Sequence, residues 1–263
     1  MVLLKMLPQA TIIMPVCIES SDRLHNFYRT LDYLTHVFDF PMIIKEASDK
    51  AIAEKIIARL PKNARKNICY MFEKNSDPQA GFHKTRHIND MLKSVTTPIT
   101  IMHDLDCIAC KQMYDRAITE SFLWDSCILG NRLFNIEVTP KIWKTFRESR
   151  FQKFSEFNCS AEDISTGFMG GIVFTKTDVY RKIGGENEQF KNWGPEDQEK
   201  VYRMQKLGFK VMRINGILYH QKHCFGENSR NNSNGKTIAA HELFETIKHM
   251  SIDELKGYYK LAW

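Results

Sequence analysis

The chain has 263 residues, 43% hydrophobic and 26% charged, with 37 Lys+Arg against 31 Asp+Glu and a net charge of +6. These proportions suit a globular protein that can bury a large core without disulfide or metal staples, and they exclude collagen-like, mucin-like and wholly disordered chains. The small positive excess suits an anionic ligand or surface and is too mild to argue for nucleic acid.

The first hundred residues alternate strand and helix patterns. Thr11–Val16 is a short apolar run that reads as a buried strand, and Asp22–Val37 follows with helical spacing at Leu24, Phe27, Leu31 and Leu34. Pro41–Lys45, Ile68–Phe72 and Ile99–His103 read as further strands, with helices predicted over Ala51–Leu60 and His83–Val95. Such alternation predicts an α/β fold with a mainly parallel sheet flanked by helices, in which ligands bind beyond the carboxyl ends of the strands. The later chain is less regular. Lys141–Phe157 mixes Lys and Arg with aromatics, Glu196–Leu207 reads as a helix, Val211–Tyr219 as strand, Phe225–Lys236 as a polar loop and Thr237–His249 as a last helix. With no repeat and no long linker, a single domain over 1–263 is expected.

No apolar run approaches the ~18–20 residues that span a bilayer. Pro8 and Gln9 interrupt the N-terminus early, which makes it a poor secretory signal. The seven scattered cysteines then read as reduced thiols, and the expected location is cytoplasmic, with at most peripheral contact at the inner membrane surface.

Three clusters carry chemistry. Asp104 and Asp106 follow a predicted strand, and carboxylates at i and i+2 on extended backbone point the same way, so both can face one divalent cation beside a diphosphate. Alone, such a pair is more often a solvated turn. Trp193-Gly194-Pro195-Glu196-Asp197 opens the helix over Glu196–Leu207. Pro195 suits a first helical position, acids suit the positive end of the dipole, and Glu199 is spaced to pair with Arg203. Asp197 shares a helical face with Val201 and Met204, which turns it toward the protein body, where a general base is wanted. His220 and His223, three apart after a predicted strand, are candidate metal ligands, and imidazole joined to carboxylate favours Mn²⁺ over Mg²⁺. Cys107 and Cys110 form a C-x-x-C that invites a zinc reading with the two histidines, but the spacing is far from that of a zinc finger, and buried thiols are expected instead.

With these residues in view, the chain resembles a GT-A (Rossmann-like) glycosyltransferase, most like bacterial family 2 enzymes whose C-terminal half resembles animal β1,4-galactosyltransferases. The likeness runs from Thr11 to about Asn231. It implies a nucleotide-sugar-binding half over 1–106 and a smaller acceptor-binding half over 107–263. Pro15, Glu19 and Arg23 fall in the likeness to the first strand and nucleotide-binding turn, and Glu46 sits where an acid often meets the nucleobase. Lys84 or Arg86, within Phe82–Asn89, falls where a basic residue contacts the diphosphate, and Asp104-Leu105-Asp106 matches the D-x-D motif. Gly170, Gly171, Trp193, Gly194, Glu196 and Asp197 match the acceptor block, in which the Trp stacks on a sugar, the Glu binds acceptor hydroxyls and the Asp is the catalytic base. Asp106, His220 and His223 match the metal ligands. Pro195 replaces a usual Gly and Gln198 a further acid, departures that bear on acceptor identity.

The resemblance implies an inverting transfer, dependent on Mn²⁺ or Mg²⁺, of a hexose or N-acetylhexosamine from a UDP-sugar to a glycan hydroxyl in polysaccharide biosynthesis, with a lipid-linked acceptor one option. The rival readings are a sugar-nucleotide nucleotidyltransferase, which normally has a Gly-rich loop after its first strand where Val16–Asp22 has no Gly, and a non-catalytic glycan-binding module. Phe225–Lys236 reads either as a lid over bound nucleotide or as a connector, and Lys141–Phe157 either as a lipid-facing surface or as aromatics packed on the sheet.

Overall fold

The computed structural model describes residues 9–75, 81–191, 194–224 and 236–263. Strand β1 (Ala10–Val16) is buried along its whole length, as expected of a parallel strand covered on both faces. Helix α1 (Ser21–Val37) starts where the Ser20 hydroxyl accepts from the Arg23 N–H at 3.2 Å, a side-chain N-cap. There follow β2 (Met42–Ser48), α2 (Ala53–Ala58), α3 (Lys62–Arg65), β3 (Ile68–Lys74), α4 (Lys84–Leu92) and β4 (Ile99–His103). Every element expected in this half is present, with α3 added as a short turn of helix.

Beyond Asp106 the chain forms β5 (Cys107–Ala109), α5 (Lys111–Glu120), β6 (Ser126–Leu129), β7 (Arg132–Ile136), α6 (Pro140–Glu148), a 3₁₀ segment (Phe154–Ser160), β8 (Glu162–Asp163), β9 (Ile172–Lys176) and α7 (Thr177–Lys182). The last elements are α8 (Glu196–Lys206), β10 (Val211–Ile214), β11 (Ile217–Gln221), α9 (Lys236–His249) and α10 (Ile252–Tyr258).

Seven strands make the central sheet in the order β10-β6-β9-β4-β1-β2-β3, all parallel to their neighbours except β9, which runs antiparallel to both β4 and β6. The mainly parallel α/β sheet expected from the sequence is therefore present. Strands from both sides of residue 106 enter it. A second sheet, β5-β11-β7-β8, carries the chain past the end of β4.

One expected element is corrected. Val211–Tyr219 is two strands in two different sheets, because β10 pairs with β6 while β11 pairs with β5 and β7. The break falls at Gly216, whose φ of +146° and close approach to Met113 leave no room for a side chain: a Cβ would lie 2.5 Å from the Met113 sulfur.

In the basic, aromatic stretch, Trp143, Phe146, Phe151 and Phe157 are buried in the main core, while Lys144, Arg147 and Arg150 remain outside. The segment thus packs on the body of the protein. Among the described residues no helix is long and apolar enough to cross a membrane.

Candidate active site

The candidate site residues gather beyond the carboxyl end of β4. The Asp104 N–H donates to the Gly171 carbonyl at 2.8 Å, and the Gln221 N–H donates to the Asp106 carbonyl at 2.8 Å. The D-x-D turn is thereby clamped between the start of β9 and the end of β11. Gly171, at φ +88°, passes so close to β11 that a Cβ would sit 2.6 Å from Leu218 Cδ2.

One wall is built on Asp106, which is buried. Its carboxylate lies 3.3 Å from His223 Nε2, 3.7 Å from His220 Nε2 and 3.8 Å from Arg23 Nη1. Burial pushes this carboxyl up, but the two imidazoles and the guanidinium outweigh it and hold Asp106 well below the usual carboxylate range. His223 answers in kind, its burial more than offset by the hydrogen bond and charge of Asp106, so its imidazolium is favoured. One ligand atom from each of Asp106, His220 and His223 can be chosen so that all lie within 4.8 Å of one another. A carboxylate and two imidazoles form a donor set that could hold a divalent metal ion. His220 Nδ1 is within 3.0 Å of Asn135 Oδ1, the outer-shell contact that orients a ligating histidine.

The opposite wall is built on the start of α8. Lys84, from the first turn of α4, reaches across with its ammonium 3.2 Å from Asp104, 3.5 Å from Asp197 Oδ2 and 3.8 Å from Glu196. Lys200 lies 3.5 Å from the other oxygen of Asp197. For Asp197, burial raises the pKa, but Lys84 and Lys200 outweigh it and keep the carboxyl below its ordinary value. Glu196 goes the other way. Burial, together with repulsion from Asp197 and Glu186, brings it up to about 8 in spite of Lys84. Two adjacent acids are thus driven apart, Asp197 below its ordinary value and Glu196 above it. Gly170 makes room for this arrangement, since a Cβ there would lie 2.0 Å from Asp197 Oδ2. The Gly194 N–H donates to Glu196 at 3.1 Å.

The remaining candidates are placed as follows. Pro15 sits near the end of β1 in register with Lys45, and Arg23 bridges Glu19 (3.6 Å) to Asp106. Glu46 is buried, its carboxylate accepting from the Ile52 and Ala53 N–H groups and from the Tyr70 hydroxyl. Arg86 turns away from the acids that Lys84 joins and pairs with Glu73. There Lys45 also neutralises Glu73 and Asp90 beside the buried His87, whose burial and cationic neighbours lower its pKa to about 4. The C-x-x-C thiols are not bridged, and among the described residues they do not join the Asp106, His220 and His223 group. Trp193 and most of the expected lid, Phe225–Lys236, lie outside the described residues.

The sequence reading missed Lys200. Its signal was a lysine at i+3 from Asp197, next to the buried Val201.

A family model described as the N-terminal domain of galactosyltransferase matches residues 150–225, the stretch containing the Gly pair, Asp197, His220 and His223. A hyaluronan synthase from Pasteurella multocida is 29% identical over 106 residues, 40% of this chain and 11% of that protein. Among solved structures, GalNAc-T7 with UDP, GalNAc and Mn²⁺ aligns with a TM-score of 0.57 at 13% identity, over 97% of this chain and 50% of that one. S. aureus TarS aligns with a TM-score of 0.59 at 12% identity, over 94% and 41%. The catalytic domain of Drosophila β1,4-galactosyltransferase 7, in complex with xylobiose, aligns with a TM-score of 0.51 at 16% identity, over 94% and 84%. This chain therefore spans about a tenth of the hyaluronan synthase and half of GalNAc-T7.

Proposed function

The chain has the GT-A fold of glycosyltransferases, and on that premise we propose that it is an inverting, metal-dependent glycosyltransferase. It moves a hexose or N-acetylhexosamine of galactose type from a UDP-sugar to a glycan hydroxyl. The observation that carries this reading is the span of Lys84, which joins Asp104 of the D-x-D turn to Asp197 on α8, two residues from the Asp106, His220 and His223 group. That contact supports a reading in which cation ligands and proton acceptor serve one reaction centre.

Asp106, His220 and His223 would hold the Mn²⁺, which supplies positive charge to the diphosphate as it leaves. The other steps belong to the chain's own side chains. Asp197, ionised at neutral pH, accepts the proton of the acceptor hydroxyl while that oxygen attacks the anomeric carbon. The bond from the anomeric carbon to the diphosphate oxygen breaks on the opposite face, and UDP takes the electron pair. Lys84 would add a cation beside the leaving group, and Asp104 would contact the ribose or the metal's water shell. Burial and the neighbouring acids favour the protonated form of Glu196, which would have an O–H to donate as well as an oxygen to accept with, and so could orient acceptor hydroxyls.

The test is a thermal-shift and UDP-release screen of UDP-galactose, UDP-N-acetylgalactosamine and UDP-glucose with Mn²⁺. A donor at a hundred times its Kd should raise Tm by about 5–10 °C. Chelation should abolish UDP release and Mn²⁺ should restore it. Binding without turnover would support a binding module instead, and undiminished turnover in a chelator would remove the metal from the reading.

A further inference from the structure

Asp197 is held between two ammonium groups that differ in kind. Lys84 stands at the mouth of the cleft, its side chain 21% exposed, and it divides its charge among Asp104, Glu196 and Asp197. Lys200 is 1% exposed and has no freedom to leave. Its ammonium is 2.6 Å from Glu186 Oε1 and stands over the ring of Tyr180, 5.4 Å from the centroid. Glu186 is itself 1% exposed and accepts from the Tyr180 hydroxyl. Its backbone is clamped to α4, where Asn89 accepts from the Glu186 N–H at 2.7 Å and donates to the Glu186 carbonyl at 2.9 Å. Lys200 is thus fixed before any ligand arrives.

An incoming diphosphate competes for Lys84, the exposed cation beside the D-x-D turn. Whatever charge Lys84 gives to phosphate it withdraws from Asp197. Among the described residues, Glu196, Asp104, Tyr180 and Cys107 also bear on Asp197, and none of these is cationic. We propose that Lys200 is the positioning residue of this site, the internal cation that keeps the Asp197 carboxylate charged and aimed once the donor engages Lys84. The proposal rests on the reading of Asp197 as the general base.

Lys200→Met alone would strand Glu186 as a buried, unpaired charge and risk unfolding. The test therefore pairs it with Lys200→Met/Glu186→Gln, which removes both charges. Two readouts are taken on each folded variant: the pH dependence of kcat for UDP release from the UDP-hexose turned over best, and the titration of the Asp197 carboxyl by ¹³C NMR, assigned with Asp197→Asn. An opposite charge at this range shifts a carboxyl by about one to three pH units. The Asp197 titration and the acid limb of kcat should both move up by that amount in the double variant. At neutral pH, where the shifted carboxyl is still mostly ionised, kcat should fall through lost aim, by about tenfold, while donor KM and the Tm gain from UDP with Mn²⁺ are kept.

A merely structural role for Lys200 would lower Tm and leave the titration in place, and that result overturns the proposal. The reading beneath it fails separately. If Asp197→Asn keeps full turnover, Asp197 is not the base; if Asp197→Asn is inactive and the double variant does not shift the titration, only the role of Lys200 is lost. The NMR arm needs no turnover, so an inactive preparation still decides the question.

Discussion

The two walls of the cleft are constructed differently. The wall around Asp106 draws its partners from far apart in the chain: Arg23 from α1, His220 from β11 and His223 just after it, all at 3.3–3.8 Å. The wall around Asp197 comes largely from one helix and the loop before it, and ion pairs buried behind it support it. Lys200 holds Glu186 there, and Arg203, fully buried, grips Glu199 while donating to the carbonyls of Ile183 and Gly185. The first wall gathers donors that suit a cation brought from outside. The second carries its own cations and needs none to set the charge of its central carboxylate. Binding of donor and activation of acceptor should therefore be separable by substitution.

The largest effect should come from Asp197→Asn. The amide keeps the shape of the side chain and removes the proton acceptor, so transfer should fall by ~10²–10⁴-fold, the range of a positioned general base. Donor affinity, measured as the Tm gain from UDP with Mn²⁺, should be unchanged. A matching loss of donor affinity would show that the two walls act as one unit, and the comparison would break.

Gly170→Ala tests the same separation through packing alone. Its backbone is not left-handed, so alanine is tolerated there, but the new methyl would overlap Asp197 Oδ2 at 2.0 Å. With Lys84 and Lys200 on either side, the carboxylate can only move off its line to the acceptor. A displacement of about 1 Å can cost ~10²-fold in rate. kcat should drop by roughly that factor, with Tm and metal affinity nearly unchanged. An alanine variant with full activity would mean that the position of Asp197 seen here is not the working one.

Much of this could be read from sequence because it is local. Parallel strands buried on both faces are continuous apolar runs, so β1 and β4 stand out, and an acid placed straight after such a run is at a strand end by construction. Asp104 and Asp106 could be singled out on that basis, Asp197 from the helix start that Pro195 and its acids mark, and His220 and His223 from their spacing after a strand. What was hidden depends on pairing. Nothing in Val211–Tyr219 announces that its halves join different sheets, because the apolar residues continue across Gly216 and only the partners β6, β5 and β7 divide them. Helix α5 went unread since its buried face is just Met113, Tyr114 and Ala117 among charged neighbours. Lys84 and Arg86 were equivalent in sequence, and only the rotation of α4 decides that one meets Asp104 and the other Glu73. Lys200 was overlooked for the same reason, since a lysine reads as solvent-facing until its partner Glu186, fourteen residues earlier, is brought beneath it.

The smallest predicted effect concerns how far the support of the second wall extends. Helix α10 begins with a capping box, in which the Ser251 hydroxyl accepts from the Glu254 N–H at 3.2 Å and the Glu254 carboxylate accepts from the Ser251 N–H at 2.7 Å. Its far end delivers Tyr259, whose hydroxyl donates to Glu199 at 2.7 Å and whose ring lies 4.0 Å from the Arg203 guanidinium, and Tyr258, which packs against it. Ser251→Ala removes one half of the box and should cost about 1 kcal/mol of stability. If α10 braces α8 as a unit, that loss should be accompanied by faster amide exchange at Glu199 and Arg203, while exchange at His220 and the affinity for Mn²⁺ stay as they were. Exchange that rises equally on both walls would mean the fold opens as a whole, and the buried ion pairs behind Asp197 would not form a separately braced unit.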